Sequence, residues 1–384
     1  MSLILGSLGT QSSATDNNFI QTAPAVSSEV DPNFPAMNKP IPQRVLIVRL
    51  SAIGDIVMAS GLIYALRSLW PEAHIAWLAE SGPSEILRTN PRLDEVIELP
   101  RQHWKAMTRE GHRAKALREM WAFARMLEQR SFDLTIDLQG LLKSGIWAFA
   151  TRAPRRIGLG SREGSQWLMT ERLPRNETDP RMGKEYRALA VSLGAQDADF
   201  KPDIQIPDAL SKKAQTQIQR AFGDAKLAVL APFTTRPQKH WFEARWIQVI
   251  EGARSLGYRC LILGGQGDTE AAERLVSATG PDTLSLAGKT SLLESGALIQ
   301  AAHVLIGVDT GMTHLSKALR TPTIALFGST LPYWESPTPL AEILYVREPC
   351  SPCHRRPTCH GLFTCMRQLE VIDVLAAIQR VSRP

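Results

Sequence analysis

Three observations predict an α/β protein made of two similar halves. Aliphatic runs of strand length alternate with amphipathic helical segments, the pattern of open parallel sheets covered by helices. The alternation pauses at a proline-bearing stretch, residues 201–207, and then restarts, which places an interdomain link there. Glycine-bearing polar segments follow the strands directly, and open α/β sheets bind ligands just outside the carboxyl ends of their strands.

The elements follow in chain order. Residues 1–40 are rich in Ser, Thr, Asn, Ala and Pro without an apolar period, and read as a disordered tail. Met37 lies shortly before the first strand, and one expectation is that translation begins there; an intact mass that includes residues 1–36 would contradict it. Val45-Leu46-Ile47-Val48 is a continuous aliphatic run, as in a buried parallel strand, and a helical pattern then reaches Leu69. Strands are expected at 74–78 and 95–99, amphipathic helix within 104–129, a strand at 134–138 and a helix at 141–150. After the link come strands at 227–230, 259–263, 303–308 and 323–327. Helices are expected at 244–255, 271–278, 312–319 and, last, 371–381. The two domains are expected to span 41–205 and 206–384.

Composition narrows the function classes. A chain of 384 residues suits two domains. With 44% apolar and 21% charged residues it is neither a fibre nor a disordered chain, and five cysteines are too few for a disulfide scaffold. No apolar run approaches the roughly 18–20 residues of a membrane span, and the N-terminus lacks the basic start of a secretory signal. A cytoplasmic protein is therefore expected. The excess of 44 Lys+Arg over 38 Asp+Glu, a net +6, does not by itself imply a nucleic-acid partner.

Five strand-end segments carry the chemistry. In Arg49-Leu50-Ser51-Ala52-Ile53-Gly54-Asp55, a carboxylate at a helix start is favoured by the helix dipole and can accept a proton from a substrate hydroxyl. Taken alone, Asp55 reads equally as a helix cap. The absence of G-x-G-x-x-G disfavours a nicotinamide dinucleotide site. The run from Asp137 to Ser144 again passes from strand to helix through Gly140, with Lys143 on the first helical turn; alone it is a capping Asp and a solvated Lys. Thr234-Thr235-Arg236-Pro237-Gln238-Lys239-His240-Trp241 combines hydroxyls, backbone N–H groups and a Lys suited to phosphate, or is a polar loop anchored by Trp241. Gly264-Gly265-Gln266-Gly267-Asp268-Thr269-Glu270 lets a flat ligand approach the backbone and offers acids for ribose hydroxyls, or is a flexible turn. In Asp309-Thr310-Gly311-Met312-Thr313-His314, the free N–H groups of a helix start form an anion site, with His314 one turn in.

Together these segments resemble glycosyltransferase family 9, the ADP-heptose:lipopolysaccharide heptosyltransferases, over roughly residues 44–380. Val308-Asp309-Thr310-Gly311 with His314 is the most specific part. The resemblance implies the GT-B architecture, two Rossmann-like domains facing across a cleft. It also implies transfer of L-glycero-D-manno-heptose from ADP-heptose to the lipopolysaccharide inner core, with inversion and no required cofactor or metal. Carried over by motif, Asp55 is the general base and Lys239 neutralises the diphosphate. Thr234, Thr235, Thr310 and Gly311 resemble the phosphate-binding set, with His314 beside them; Asp309 resembles the contact to the heptose hydroxyls, and Glu270 is assigned to the ribose. The acceptor implied is lipid A bearing inner-core sugars, which places the protein at the inner face of the inner membrane. Two alternatives stand beside it: a GT-B transferase using another nucleotide sugar in envelope assembly, and a non-catalytic nucleotide- or lipopolysaccharide-binding protein. The joint presence of Asp55, Lys239 and Asp309 argues against the second.

Charge and thiols are unevenly spread. Residues 101–162 hold thirteen Lys+Arg against five acids, a difference of +8, with Trp104 and Trp121 interleaved. This is either a solvated helix face or a surface for an anionic acceptor. Lys105, Arg109, Arg113, Lys143, Arg155 and Arg156 are the expected acceptor contacts. Cys350, Cys353, Cys359 and Cys365 fall within sixteen residues, with His354 and His360 between, which suits either a structural zinc site or packed thiols. Cys260, in mid-strand, is expected in the core.

Overall fold

The structure is a computed structural model that describes residues 40–175, 181–333, 340–353 and 356–381. The tail assigned to residues 1–40 lies outside these but for its last residue, as does His354.

The alternation becomes two six-stranded sheets, every strand pair parallel. The first contains β1 (Arg44–Val48), β2 (His74–Glu80), β3 (Glu95–Leu99), β4 (Leu134–Asp137), β5 (Arg155–Leu159) and β6 (Glu171–Leu173), in the order β3-β2-β1-β4-β5-β6. The second contains β7 (Lys226–Ala231), β8 (Tyr258–Ile262), β9 (Thr283–Ser285), β10 (Val304–Val308), β11 (Thr323–Phe327) and β12 (Ala341–Tyr345). Its order, β9-β8-β7-β10-β11-β12, repeats that of the first, so the halves share one topology. Each sheet has one point where the strand order reverses, between β1 and β4 and between β7 and β10. Such crevices are where open α/β sheets take ligands.

The central strands read as continuous aliphatic runs because both their faces are covered. Val45, Leu46, Ile47 and Val48 are fully buried, each stabilising the fold by roughly 1.5–3 kcal/mol. One apolar core runs from Val45, Ile47 and Leu62 of the first half to Leu227, Leu298 and Leu305 of the second. Outer cores close the far faces, around Trp104 and Trp147 in the first half and Trp246 and Val374 in the second. The halves also join through a charge: Glu85 accepts hydrogen bonds from Leu292 N and Leu293 N, both 3.1 Å, and so caps helix Leu292–Ala301 with an anion from across the boundary. The stretch 201–207 lies against the first half, where Asn90 and Thr89 donate to the carbonyls of Asp203 and Gln205 and Arg92 pairs with Asp203.

The one or more helices expected within 104–129 are two, Arg101–Arg109 and Arg113–Gln129, separated where Gly111 at φ 88° leaves the helical region. The apolar stretch after Gly54 likewise divides at Ser60 into Ile53–Ala59 and Gly61–Leu69. Among the described residues no helix is long and apolar enough to cross a membrane.

Candidate active site

Four of the five segments lie at the two crevices. β1 and β4 deliver Asp55 and Asp137 at the first, and β7 and β10 deliver Lys239 and Asp309 at the second.

At the first crevice, Asp55 occupies the opening turn of helix Ile53–Ala59 and accepts from Ala52 N at 3.1 Å. Its other partner is Arg49, whose Nη2 lies 2.5 Å from Oδ2. Arg49 is buried, donates through Nη1 to the carbonyl of Leu138 at 3.1 Å and lies over the Tyr186 ring. Burial opposes its charge, but the acid and ring around it raise its pKa further above the ordinary guanidinium value. A fixed cation thus orients a carboxylate that keeps 36% side-chain exposure, enough to meet an incoming hydroxyl.

Asp137 does different work. It is fully buried and accepts from Gln139 N (3.0 Å), Gly140 N (3.2 Å) and Ser144 Oγ (3.0 Å). Burial pushes its pKa up, against those hydrogen bonds. It shapes the β4 turn: a Cβ at Gly140, φ 64°, would stand 2.4 Å from the Leu159 carbonyl.

At the second crevice, Asp309 is buried at the end of β10. Its Oδ2 pairs with Lys239 and accepts from Thr330 Oγ1; its Oδ1 lies 3.2 Å from His314 Nε2. His314 Nδ1 meets the Tyr333 hydroxyl at 3.0 Å. Burial works against this carboxylate's charge, yet His314 and Lys239 hold its pKa well below the ordinary carboxylate range. The sign follows: the stabilisation is complete above the ordinary carboxylate pKa and is lost only as pH falls through the depressed one. Acid titration followed by the His314 ring signals should therefore find the cluster intact at pH 5.

Lys239 is placed by a short 3₁₀ turn, Pro237–Lys239, with Trp241 buried edge-on to Trp246 at 5.3 Å behind it. The same loop carries Thr234 and Thr235, and His240 Nε2 bonds the Thr234 carbonyl at 2.7 Å. Thr310 and Gly311 open helix Gly311–Ala318, whose first N–H groups have no intrahelical acceptor.

The crevices meet. A Cβ at Gly54 would stand 2.5 Å from His314 Cδ2, and one at Gly311 would stand 3.0 Å from Ile53 Cβ. Two helix N-termini, one from each half, therefore touch through glycines, with Asp55 on one side and the Lys239–Asp309–His314 cluster on the other. The residues that sequence reasoning passed over are Arg49, Thr330 and Tyr333. Arg49 stands inside the first segment, and its position at a strand end is the available signal; Thr330 follows β11, at the same edge of the sheet as Asp309.

Glu270 begins helix Thr269–Thr279 with its side chain 92% exposed, paired to Arg274. Asp268, two residues earlier, caps its own loop through Gly265 N. Among the expected acceptor contacts, Lys105, Arg109 and Arg113 are exposed on the outer helices and Lys143 is half-buried. Arg155 is taken up by Glu171, and Arg156 by the Leu168 and Ala153 carbonyls and the Phe149 ring. Cys260 is in the core, and burial pushes its thiol up to about 12. The four clustered cysteines are free thiols, and among the described residues no three His, Cys, Asp or Glu side chains converge as a metal-ligand set.

Comparison with known proteins agrees with this fold. A family model described as "Glycosyltransferase family 9 (heptosyltransferase)" matches residues 120–363. Lipopolysaccharide heptosyltransferase 1 of Salmonella typhimurium is 32% identical over 75% of this chain and 89% of its own. Lipopolysaccharide heptosyltransferase 1 of Pseudomonas aeruginosa is 29% identical over 82% of this chain and 87% of its own. A solved Escherichia coli heptosyltransferase with ADP-2-deoxy-2-fluoro heptose superposes with a TM-score of 0.66 at 25% identity, covering 88% of this chain and 99% of that one.

Proposed function

The chain belongs to glycosyltransferase family 9, and from that premise we propose that it transfers L-glycero-D-manno-heptose from ADP-heptose to the lipopolysaccharide inner core, inverting the anomeric centre. The observation that carries this reading is the close approach of two helix starts across the two halves: Gly54, next to Asp55, lies against His314, which belongs to the Lys239–Asp309–His314 cluster. The relatives named heptosyltransferase 1 favour the first heptose and hence a heptose-free acceptor.

The acceptor hydroxyl attacks the anomeric carbon from the side opposite the diphosphate. The new C–O bond forms as the bond to the diphosphate oxygen breaks, and Asp55 takes the hydroxyl proton. Charge accumulating on the departing ADP meets Lys239, the N–H groups opening helix Gly311–Ala318, and Thr234, Thr235 and Thr310. Donor binding draws Lys239 from Asp309 to the diphosphate, and Asp309, still held by His314, turns to the heptose hydroxyls. Glu270 is the ribose contact. The reaction as drawn calls on no metal. A screen of ADP-heptose against UDP- and GDP-sugars tests the donor: binding of the latter with no response to ADP-heptose would favour a different nucleotide sugar.

Two expectations follow from the geometry. Arg49→Lys keeps a charge but loses the fork that holds both Asp55 and the Leu138 carbonyl. We expect kcat to fall about tenfold or more with donor Kd nearly unchanged; a change in Kd alone would remove Arg49 from this role. Gly54→Ala places a methyl against the His314 ring. Because misplacement by about 1 Å can cost about a hundredfold, turnover should fall by about 10–100-fold while the thermal transition persists. Wild-type turnover would mean that the halves do not close on this contact during reaction.

A further inference from the structure

The outer helical layer of the first half carries an apolar surface that the active site does not use. Helix Arg113–Gln129 buries Ala116 and Leu127, with Phe123 packed edge-on to Trp104 and Trp147. It leaves Leu117 and Trp121 exposed, one turn apart, Trp121 by 66%. The neighbouring helix Leu142–Ala150 leaves Leu142 and Ile146 exposed, again one turn apart. The 3₁₀ turn Ser165–Leu168 packs on that helix, Ser165 and Leu168 lying against Gly145, and holds Trp167 out at 80% exposure. Of the ten large apolar side chains exposed among the described residues, five lie on these three packed elements. Each of these side chains points away from the core that its own element builds, so packing does not account for them.

The surroundings are cationic. Arg113, Lys115, Arg118, Arg152 and Arg162 are exposed on the same elements and their flanks, and none pairs with a carboxylate among the described residues. Exposed Trp and Leu ringed by Lys and Arg is the composition of an interfacial surface. The rings enter the boundary between headgroups and acyl chains, and the cations meet anionic headgroups. A second copy of the chain is a poor occupant, because a two-fold contact would oppose this basic face to itself. Residues 101–162 carry a difference of +8 between basic and acidic side chains.

We propose that this face, formed by Leu117, Trp121, Leu142, Ile146 and Trp167 within their ring of cations, docks the protein on an anionic lipid bilayer. The inference rests on the proposed function only in expecting a lipid-anchored acceptor.

The test is co-sedimentation of the purified protein with phosphatidylglycerol vesicles and with phosphatidylcholine vesicles. Wild type should bind the anionic vesicles at least about tenfold more tightly, with binding weakened by salt and a blue shift of tryptophan emission. Trp121→Ser/Trp167→Ser should lose about tenfold or more of that binding and the blue shift, and Arg118→Glu should steepen the loss. Failure of wild type to bind anionic vesicles would overturn the proposal. So would vesicle binding by the double variant equal to wild type, or a self-association that the double variant abolishes. Turnover on a delipidated acceptor separates the two readings: the double variant should keep it. Vesicle binding without any ADP release would leave the docking face standing and sink the heptose-transfer reading.

Discussion

Asp55→Ala is expected to lower kcat by about a hundredfold or more while donor affinity stays within a few-fold of wild type. General-base catalysis contributes about 10²–10⁴ in rate, and Asp55 is the half-exposed carboxylate of the first crevice, held by the buried Arg49. The side chain is 36% exposed, so its loss should cost little fold stability, and the thermal transition serves as the control. Asp55→Asn is the sharper variant. It retains an oxygen for Ala52 N and the shape of the site but cannot accept the proton, so it should be as inactive as the alanine variant. Activity within a few-fold of wild type in either would remove Asp55 from the mechanism.

Lys239→Ala should act on both binding and chemistry. Removing a charge that stabilises a developing anion costs about 10²–10³ in rate, and the same charge holds the ground-state diphosphate. We expect donor Kd to rise at least about tenfold and kcat/KM to fall by a further factor of about a hundred. The change also strands Asp309, buried at the end of β10 with His314 and Thr330 left to it, so the variant should unfold at lower temperature. Lys239→Ala/Asp309→Asn separates the effects: neutralising the stranded carboxylate should restore the transition temperature and leave activity absent. Unchanged donor Kd in Lys239→Ala would place the diphosphate elsewhere.

The parts of this arrangement that the sequence revealed are those written within a few residues. Val45–Val48 and Val304–Val308 read as central strands because burial on both faces demands continuous aliphatic runs. The polar segments at their ends had to mark the ligand side, because that is where a parallel sheet leaves loops free. The strands that escaped notice end their sheets: Glu171–Leu173, Thr283–Ser285 and Ala341–Tyr345 pair on one side and need no aliphatic run, and the first two are only three residues long. Arg155–Leu159, next to an edge, hides behind its two arginines.

The site divides in the same way. Asp55, Lys239 and Asp309 were visible one by one as strand-end residues. The pairing of Lys239 with Asp309 was not, because 70 residues separate them and only the adjacency of β7 and β10 brings them together. Asp137 and Asp55 looked alike, each a carboxylate at a turn into a helix. Burial distinguishes them: Asp137 is consumed by its own loop, and Asp55, paired with Arg49, keeps 36% of its side chain exposed. The +8 of residues 101–162 reads as either a solvated helix face or an acceptor surface, and within it Arg155 and Arg156 are engaged by the fold.

Heptose transfer is measured by ADP release from ADP-heptose by the purified protein, with a heptose-free and a heptose-bearing inner-core acceptor side by side. ADP release should depend on acceptor, be greatest with the heptose-free one, and be abolished by Asp55→Asn. No release from ADP-heptose with either acceptor, or release that Asp55→Asn leaves unchanged, would contradict heptose transfer with Asp55 as its base.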